Sequence, residues 1–417
     1  MSRNLFGSGI TPLRQPEFRD LWIANFLSNL GTIMHSAAAA WLMTTLTHSP
    51  LLIGLVQTAA SLPAFLFGIA GGVLTDLVDR RRLLVFAQLW MMAMAALMAV
   101  MAWNGHLRPR QLLILLLLLG LGSAIHVPGW QTLLQDLVTR DKAAAAVSLN
   151  SIGFNLARSI GPALGGFLVG ALGAAPVFAL NAFSFFAVLV GLRRVPAHLI
   201  PPSKGKATPR AILQSLSEGW NFLRESPLLG GILLRCSYFM MTGSGVLALL
   251  PVVARDHLGT GASGYGLLLS AFGIGSVIGA LFIPSLQKKL AIDTMVGTAQ
   301  VMFALCVVVV GIGRSVHLVG SAMLLAGFSW IVVAVNHNVS VQMCSPDWIR
   351  GRTISIYFLV FQGSLALGSW ITGWVADQAG VAMSVSLGGI LCGCGLLLIP
   401  WFPLTRKEPR STTTTPS

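Results

Sequence analysis

Apolar runs of about 20 residues recur along the whole chain, and they constrain the fold more than any other feature. A helix needs about 20 predominantly apolar residues to cross a bilayer, and each run is long enough to do so. We predict twelve such spans, and we expect no separate water-soluble domain because no long stretch lacks one. The predicted spans lie near 20–46, 51–77, 82–104, 111–137, 142–171, 173–193, 227–254, 263–287, 292–313, 317–343, 347–376 and 381–404.

The charged residues support a membrane protein and indicate its orientation. Only 10% of the residues are charged, whereas soluble proteins carry about 25%. A net charge of +14 would suggest a nucleic-acid partner in a soluble chain. Here most lysines and arginines fall on one side of the predicted spans, and the loops on the other side carry only Arg108, Arg110, Arg255 and Arg314. This bias predicts a multi-pass membrane protein with both termini in the cytoplasm and no nucleic-acid partner.

A short charged hairpin separates the second and third predicted spans. It holds Asp76 and the consecutive residues Arg80, Arg81 and Arg82, shortly after Gly72. Three adjacent arginines cannot enter the bilayer cheaply, so the hairpin is expected on the cytoplasmic side. Asp76 is placed where its carboxylate could meet a loop arginine or the positive end of a neighbouring helix.

The fifth predicted span carries an unusual stripe of residues. At 100° per residue, Ser151, Asn155, Arg158, Pro162 and Gly165 fall within about 40° of one line along the helix. An arginine near the middle of a span thus shares one face with a helix-bending proline and with small residues that allow close helix packing.

Both stretches resemble signatures of the major facilitator superfamily. The hairpin resembles the superfamily loop G-x-L-x-D-R-x-G-R-R, although Leu77 and Asp79 depart from that pattern. The loop ends in D-R-R-R, and this ending resembles that of a bacterial efflux branch, the transmembrane secretion effector family, which includes siderophore and macrolide exporters. The matching residues of the loop are Gly72, Leu74, Asp76, Arg80 and Arg81.

Span five resembles the antiporter motif G-x-x-x-G-P-x-x-G-G of exporters in this superfamily. Ala157 replaces the first glycine, and the other positions match at Gly161, Pro162, Gly165 and Gly166. The resemblance implies an all-α membrane protein of twelve transmembrane helices in two pseudo-symmetric six-helix bundles. It also implies a gate in which Asp76 faces the amino-terminal end of span eleven near Pro346, where Ser345 is the expected cap.

The expected domain organisation follows from the same reading. Residues 1–193 form the first bundle, 194–226 a cytoplasmic linker with an amphipathic helix on the inner leaflet, 227–404 the second bundle and 405–417 a disordered tail. A weak similarity between the two halves of the sequence, called here the glycine echo, indicates parallel repeats. Such repeats place the substrate site between the halves near the bilayer midplane. The echoed pairs are Gly54 with Gly266, Gly161 with Gly368, and Gly166 with Gly373.

Candidate substrate and proton residues are the polar groups predicted to lie inside the membrane. None of the 13 acidic residues falls near the middle of a span. Ionisable groups inside a bilayer are costly and are functional hypotheses by default, although Arg158 could instead clamp backbone carbonyls and each histidine could serve packing. The candidates are Arg158, His126, Asn155, Asn29, His35, Arg235, Tyr238, Asn336 and His337.

Two arginines without balancing carboxylates favour an anionic substrate such as a catecholate siderophore or an acidic amphiphile. His126 is the proposed proton carrier, because an unperturbed histidine titrates near neutral pH. The chain contains no nucleotide-binding loop, no nucleophile–histidine–carboxylate arrangement and no metal-ligand cluster, so we expect neither an enzyme nor a cofactor.

The resemblance therefore implies a monomeric secondary transporter of the bacterial cytoplasmic (inner) membrane that exports a small organic molecule by proton antiport with alternating access. Three alternatives stay open at this point. One is a lysophospholipid flippase-like member of the superfamily that takes lipid from the bilayer, and another is an uptake transporter. The third is a non-transporting membrane receptor or assembly subunit, although signalling would favour a large soluble domain.

Overall fold

The computed structural model describes residues 11–77, 79–139, 142–195, 218–219, 221–346 and 348–404. For residues 69–77, 132, 135, 136 and 144 it describes the backbone alone. The expected carboxy-terminal tail, 405–417, and most of the expected linker, 194–226, lie outside the described residues.

Long α-helices dominate the described part of the chain and follow one another through short connections. They are α1 (Pro16–Leu46), α2 (Pro50–Leu77), α3 (Arg80–Trp103), α4 (Pro109–Asp136), α5 (Ala143–Leu172), α6 (Ala174–Arg194), α7 (Pro227–Val252), α8 (Gly261–Gln287), α9 (Ile292–Ile312), α10 (Val316–Cys344), α11 (Arg350–Ala379) and α12 (Val381–Cys394). A single 3₁₀ turn, Thr11–Arg14, precedes α1, and another, Gly395–Leu398, follows α12.

These helices agree with the predicted spans at most of their ends. Within the described residues, α2 to α11 each contain a stretch long and apolar enough to cross a membrane, and α12 does so together with the 3₁₀ turn Gly395–Leu398. Helix α1 does not reach that apolarity, because Glu17, Arg19, Asp20, Asn25 and Asn29 lie along it. It is nevertheless 31 residues long, far above the length that a bilayer requires.

Four predicted ends differ from the structure by three residues or more: α1 begins at Pro16 and not near 20, α11 begins at Arg350 and ends at Ala379, and α12 ends at Cys394. Helix α11 begins at Arg350, because the carbonyl of Pro346 accepts hydrogen bonds from the N–H groups of Ile349 (3.1 Å) and Arg350 (3.0 Å) in a separate turn. Ser345 is therefore the last cap of α10 and not the first cap of α11. Helix α12 ends at Cys394 and not near residue 404, since Pro400 and Pro403 cannot continue a regular helix.

The helices pack as two six-helix bundles with the same internal arrangement. In the N half (α1–α6), α1 packs against α5 and α6, α3 against α4 and α6, and α2 against α4. In the C half (α7–α12), the corresponding pairs are α7 with α11 and α12, α9 with α10 and α12, and α8 with α10. The halves meet mainly where α2 packs against α11 and where α5 packs against α8. Because α2 corresponds to α8 and α5 to α11, a two-fold rotation that exchanges the halves also exchanges these two contacts. The predicted fold class is confirmed.

The two ends of the molecule differ in how tightly the halves are joined. We call the end at which α1 begins the near side and the opposite end the far side. Along the inner face of α5, Ser151 and Asn155 on the near side are exposed, Arg158 is partly buried, and Pro162 and Gly166 toward the far side are buried.

The facing surface of α8 shows the same gradient. Gly266, Ser270 and Gly273 are buried, whereas Ala280 and Pro284 on the same face but closer to the near side are exposed. A cleft between the halves therefore opens at the near side and closes toward the far side.

Candidate functional site

Two glycines bring α5 and α8 into backbone contact where the cleft closes. A Cβ atom built on Gly166 would lie 2.8 Å from the Cα of Gly266 and 2.6 Å from the carbonyl oxygen of Ala262. Neither helix could come so close with a side chain at these positions. The antiporter-motif residue Gly166 thus forms part of the contact between the halves.

Pro162 creates a polar link beside this contact. A proline inside a helix lacks an N–H group and crowds the carbonyl four residues earlier, here that of Arg158. One residue further on, the N–H of Ala163 donates a hydrogen bond to the Ser270 hydroxyl in the other half, at 2.8 Å. Ser270 did not stand out in the sequence, because a serine in an apolar helix carries no distinctive motif.

The other glycines of the motif contact a different helix. A Cβ atom on Gly161 would lie 2.9 Å from Cγ2 of Ile33, and one on Gly165 would lie 2.9 Å from the Cα of Met34, both in α1. Gly161 and Gly165 are four residues apart and share one face of α5, whereas Gly166 lies on the next face. The motif therefore joins α5 both to its own bundle and to the other half.

The interface between α2 and α11 repeats this geometry in the symmetric position. A Cβ atom on Gly54 would lie 3.1 Å from the Cα of Gly373. The Thr58 hydroxyl donates a hydrogen bond to the carbonyl of Ala366, at 2.9 Å, much as Ser270 links to α5. The glycine echo seen in the sequence therefore corresponds to two matching contacts between the halves.

Arg158 lies at the apex of the cleft. Its carbonyl oxygen would be 2.8 Å from a Cβ atom on Gly273, so the packed part of the α5–α8 interface begins at this residue. Its side chain is partly buried and makes no hydrogen bond or ion pair with the described residues. Asn155, one turn nearer the cleft mouth, is exposed, and its amide donates to the carbonyl of Ser151 at 2.8 Å.

Arg235 lies in a different environment from the one expected. Its guanidinium is 3% exposed and forms an ion pair with Asp293, at 2.5 Å, while also donating to the carbonyl of Phe402 at 3.0 Å. Asp293 in turn accepts the N–H of Leu404 at 3.1 Å. The expectation that Arg235 lacks a balancing carboxylate is therefore wrong, because Asp293 at the start of α9 reaches it across 58 positions of sequence.

The two candidate histidines of the N half occupy unlike positions. His35 is buried in α1, where its ring packs against Phe178 of α6 with ring centroids 4.4 Å apart. His126 in α4 is partly buried, and its ring stacks on Trp130 at 5.6 Å. Of these two side chains, His35 is buried and His126 is partly exposed, so His126 remains the better candidate for a proton carrier.

The remaining candidates are dispersed through the protein. Asn29 is partly buried in α1. In the C half, Tyr238 donates its hydroxyl to the carbonyl of Leu391 in α12 at 2.6 Å. Asn336 and His337 are buried in α10, where Asn336 accepts from the Gln287 amide at 3.1 Å and His337 bonds the carbonyl of Val333 at 2.9 Å. The described contacts do not join these residues to Arg158.

The charged hairpin is described only in part. The side chain of Asp76 and the surroundings of Gly72 lie outside the described residues, so the predicted gate stays a prediction. Asp79, which departs from the superfamily pattern, caps α3 by accepting the N–H of Arg82 at 3.0 Å. Arg81 donates to the carbonyl of Arg193 at the end of α6, at 2.9 Å. That contact places a positive charge at the negative end of a helix.

The described residues that directly precede α7 attach to the C half. Glu218 pairs with Arg352 near the start of α11, and Phe222 contacts Trp348 edge-on with ring centroids 5.8 Å apart. The end of the connection between the bundles is therefore held against α11. Among the described residues, no group of three or more histidine, cysteine or acidic side chains is arranged to hold a metal ion.

Comparison with known proteins shows which family and which transporters this chain is similar to. The profile of the transmembrane secretion effector family matches residues 7–415. The chain is 28% identical over 392 residues to an enterobactin exporter of Citrobacter koseri, covering 92% of this chain and 91% of that protein. It is 26% identical over 381 residues to the staphyloferrin A transporter of Staphylococcus aureus, covering 89% of this chain and 92% of that protein.

The fold is similar to that of solved transporters. A crystal structure of a bacterial homologue of the human lysosomal transporter Spinster superposes with a TM-score of 0.69 at 13% identity. That superposition covers 94% of this chain and 95% of the other, and it concerns the fold alone.

Proposed function

Because this chain belongs to the transmembrane secretion effector family of the major facilitator superfamily, we propose that it exports an anionic small molecule by proton antiport with alternating access. It is a multi-pass membrane transporter of a small molecule and not an enzyme. Export, proton coupling and the anionic character of the substrate are the parts that we propose. Residues 1–193 and 227–404 are the two bodies that move, with 194–226 as the linker, and the monomer is the working unit.

The near side is the cytoplasmic side in this proposal. Basic residues concentrate at the near-side ends of the helices, as at Arg80–Arg82, Arg193–Arg194 and Lys288–Lys289. The positive-inside rule places such ends in the cytoplasm. The cleft then opens to the cytoplasm, where an exporter collects its substrate, and the two glycine contacts close the opposite side.

The position of Arg158 is the main support for the proposed class of substrate. This residue is a cation at the apex of the open cleft, and no described residue neutralises it. An unpaired charge away from water is costly, so an anionic substrate would gain by binding beside it. The planar guanidinium fork can hold a carboxylate or a catecholate at two points.

The named relatives support the same class of substrate. One is named for exporting enterobactin and the other for transporting staphyloferrin A. We propose a siderophore or a similar acidic amphiphile as cargo. After Arg158 binds the anion, the halves would rock about the α2–α11 and α5–α8 contacts, the far side would open, and a proton would return through His126.

Purified protein in liposomes tests this proposal. Vesicles with a defined pH difference are supplied with a catecholate siderophore, a carboxylate siderophore, a lysophospholipid and a cationic dye. We expect the two siderophores to move against their gradients only when the pH difference is present. Preference for the dye would contradict the anionic assignment, and lysophospholipid movement without a pH difference would support the flippase-like alternative.

Substitutions of Arg158 separate a binding role from a structural one. Arg158→Lys keeps the charge but loses the fork, so we expect most of the affinity for an anionic substrate to disappear, and Arg158→Ala should abolish binding. Both variants should remain folded, because the side chain has no partner among the described residues. Poor expression of Arg158→Ala with normal binding by Arg158→Lys would instead indicate a structural arginine.

A further inference from the structure

One arginine on the far side joins the two halves through the end of a helix. Arg255 lies in a five-residue π-helical turn, Val253–His257, that directly follows α7. Such wide turns are rare and occur frequently at functional sites. The turn brings Arg255 of the C half to the carboxy-terminal end of α1 in the N half.

The guanidinium of Arg255 donates a hydrogen bond to the carbonyl oxygen of Thr44. The last four carbonyls of a helix have no partner within it, and they form the negative end of the helix dipole. In α1 the carbonyl of Met43 accepts the N–H of Thr47 at 3.0 Å, and that of Leu42 accepts the Thr45 hydroxyl at 2.8 Å. The Thr44 carbonyl takes its donor from the other half.

Asp256 holds this arginine in position. Its two carboxylate oxygens accept hydrogen bonds from Nε (2.6 Å) and one terminal nitrogen (2.9 Å) of Arg255. The other terminal nitrogen remains for Thr44. A fork held at two points loses less freedom on making a third bond than a free side chain does. The Arg255 side chain is 20% exposed, so water screens the contact only in part.

Further contacts surround the same end of α1. The rings of Trp41 in α1 and Tyr265 in α8 stack with centroids 6.1 Å apart. The Ser49 hydroxyl, at the start of α2, donates to the Asp377 carboxylate in α11 at 2.9 Å. The end of α1 and the start of α2 thus touch α7, α8 and α11. Arg255 provides a charged contact to a helix end within this set.

We propose that Arg255, Asp256 and the Thr44 carbonyl form a far-side latch. The latch stabilises the state in which the far side is closed, and it must release before the far side can open. In this role Arg255 stabilises one conformation and takes no part in substrate binding or proton transfer. The inference rests on the proposed alternating access and adds the residues that set the balance between its two states.

Distances between spin labels test the latch directly. Labels at Trp103→Cys in α3 and Ile312→Cys in α9 lie on exposed far-side positions of the N half and the C half. The five native cysteines are replaced, and the protein is reconstituted in nanodiscs. We expect Arg255→Ala to raise the ratio of long to short distances about two- to thirty-fold, the range for a charge at a helix end. Asp256→Asn should act in the same direction but less strongly.

Arg110→Ala is the matched control, because Arg110 is an exposed far-side arginine in the N half. It should leave the distance distribution as in the parent protein. If the parent shows both distances and Arg255→Ala and Asp256→Asn leave their ratio unchanged, the latch is refuted while alternating access stands. If a single distance persists in the parent at acidic and at neutral pH, with and without siderophore, the proposed transport cycle fails and the latch with it.

Discussion

Gly166 of α5 and Gly266 of α8 touch through their backbones, and no side chain separates them. A Cβ atom on Gly266 would lie 2.9 Å from the Cα of Gly166. Gly54 and Gly373 make the symmetric contact between α2 and α11. These two glycine pairs hold the halves together beyond the closed end of the cleft. In the proposed transport cycle the halves rock about them.

A methyl group at this contact should therefore disturb the protein. Gly166→Ala would place a Cβ atom against backbone atoms that cannot move aside easily. We expect the far-side-closed state to lose about 1–3 kcal/mol, the usual cost of overpacking. Thermal unfolding in detergent and the Trp103–Ile312 label distance measure the effect.

Gly230→Ala is the matched control for this substitution. Gly230 also lies in a transmembrane helix, α7, but nothing beyond its chain neighbours and its own helix backbone lies within 4 Å of a Cβ atom built on it. Its unfolding temperature and label distance should stay near those of the parent. Equal effects of the two substitutions would show that the glycine contact has no special role.

The ion pair between Arg235 and Asp293 should serve stability and not substrate binding. Removing one partner of a buried pair leaves an uncompensated charge, so Arg235→Met should lower the free energy of unfolding by about 3 kcal/mol. Unfolding in a graded denaturant, followed by circular dichroism, measures this loss. Substrate affinity of the folded fraction should be unchanged.

The double variant Arg235→Met, Asp293→Asn completes a thermodynamic cycle. Because the two groups contact each other, the double variant should lose less stability than the two single variants together. Additive losses would mean that the pair contributes no coupling. A selective loss of affinity in Arg235→Met, with normal stability, would return Arg235 to the substrate site.

His126 is the proposed proton carrier, and its replacement should separate transport from the pH gradient. We expect His126→Gln to bind substrate normally but to stop accumulating it against a gradient, because glutamine cannot exchange a proton. Uptake of siderophore into liposomes is measured at several internal pH values. His317→Gln, at an exposed far-side position, is the control. Unaltered accumulation by His126→Gln would move the coupling site elsewhere.

Asp76 is the proposed near-side gate residue, facing the positive end of α11 when the near side closes. A carboxylate at a helix amino terminus contributes about 0.3–2 kcal/mol. Asp76→Asn should therefore slow transport several-fold while leaving membrane insertion intact. Turnover in proteoliposomes measures the change.

Asp79→Asn provides the comparison for Asp76. Asp79 caps α3, and asparagine is an equally good cap, so this substitution should leave turnover unchanged. Normal turnover in Asp76→Asn would remove that residue from the gating mechanism.

The sequence by itself determined the fold class, the family and most helix ends. Length and apolarity of a run depend only on neighbouring residues, so the spans could be located without any tertiary information. The glycine echo was also visible, because a repeated fold places the same small residues at the same positions of both halves. It marked Gly54 as equivalent to Gly266, and Gly166 as equivalent to Gly373, before their contacts were known.

Only the tertiary structure decided which residues meet. Helical periodicity describes the faces of one helix, but it does not say which other helix covers each face. The sequence therefore showed Arg158 and Arg235 as two similar arginines inside spans, whereas packing paired Arg235 with Asp293 and left Arg158 at the cleft apex. The contact of Arg255 with Thr44 was equally hidden, since a carbonyl left free at a helix end belongs to the backbone and has no signature in the side chains.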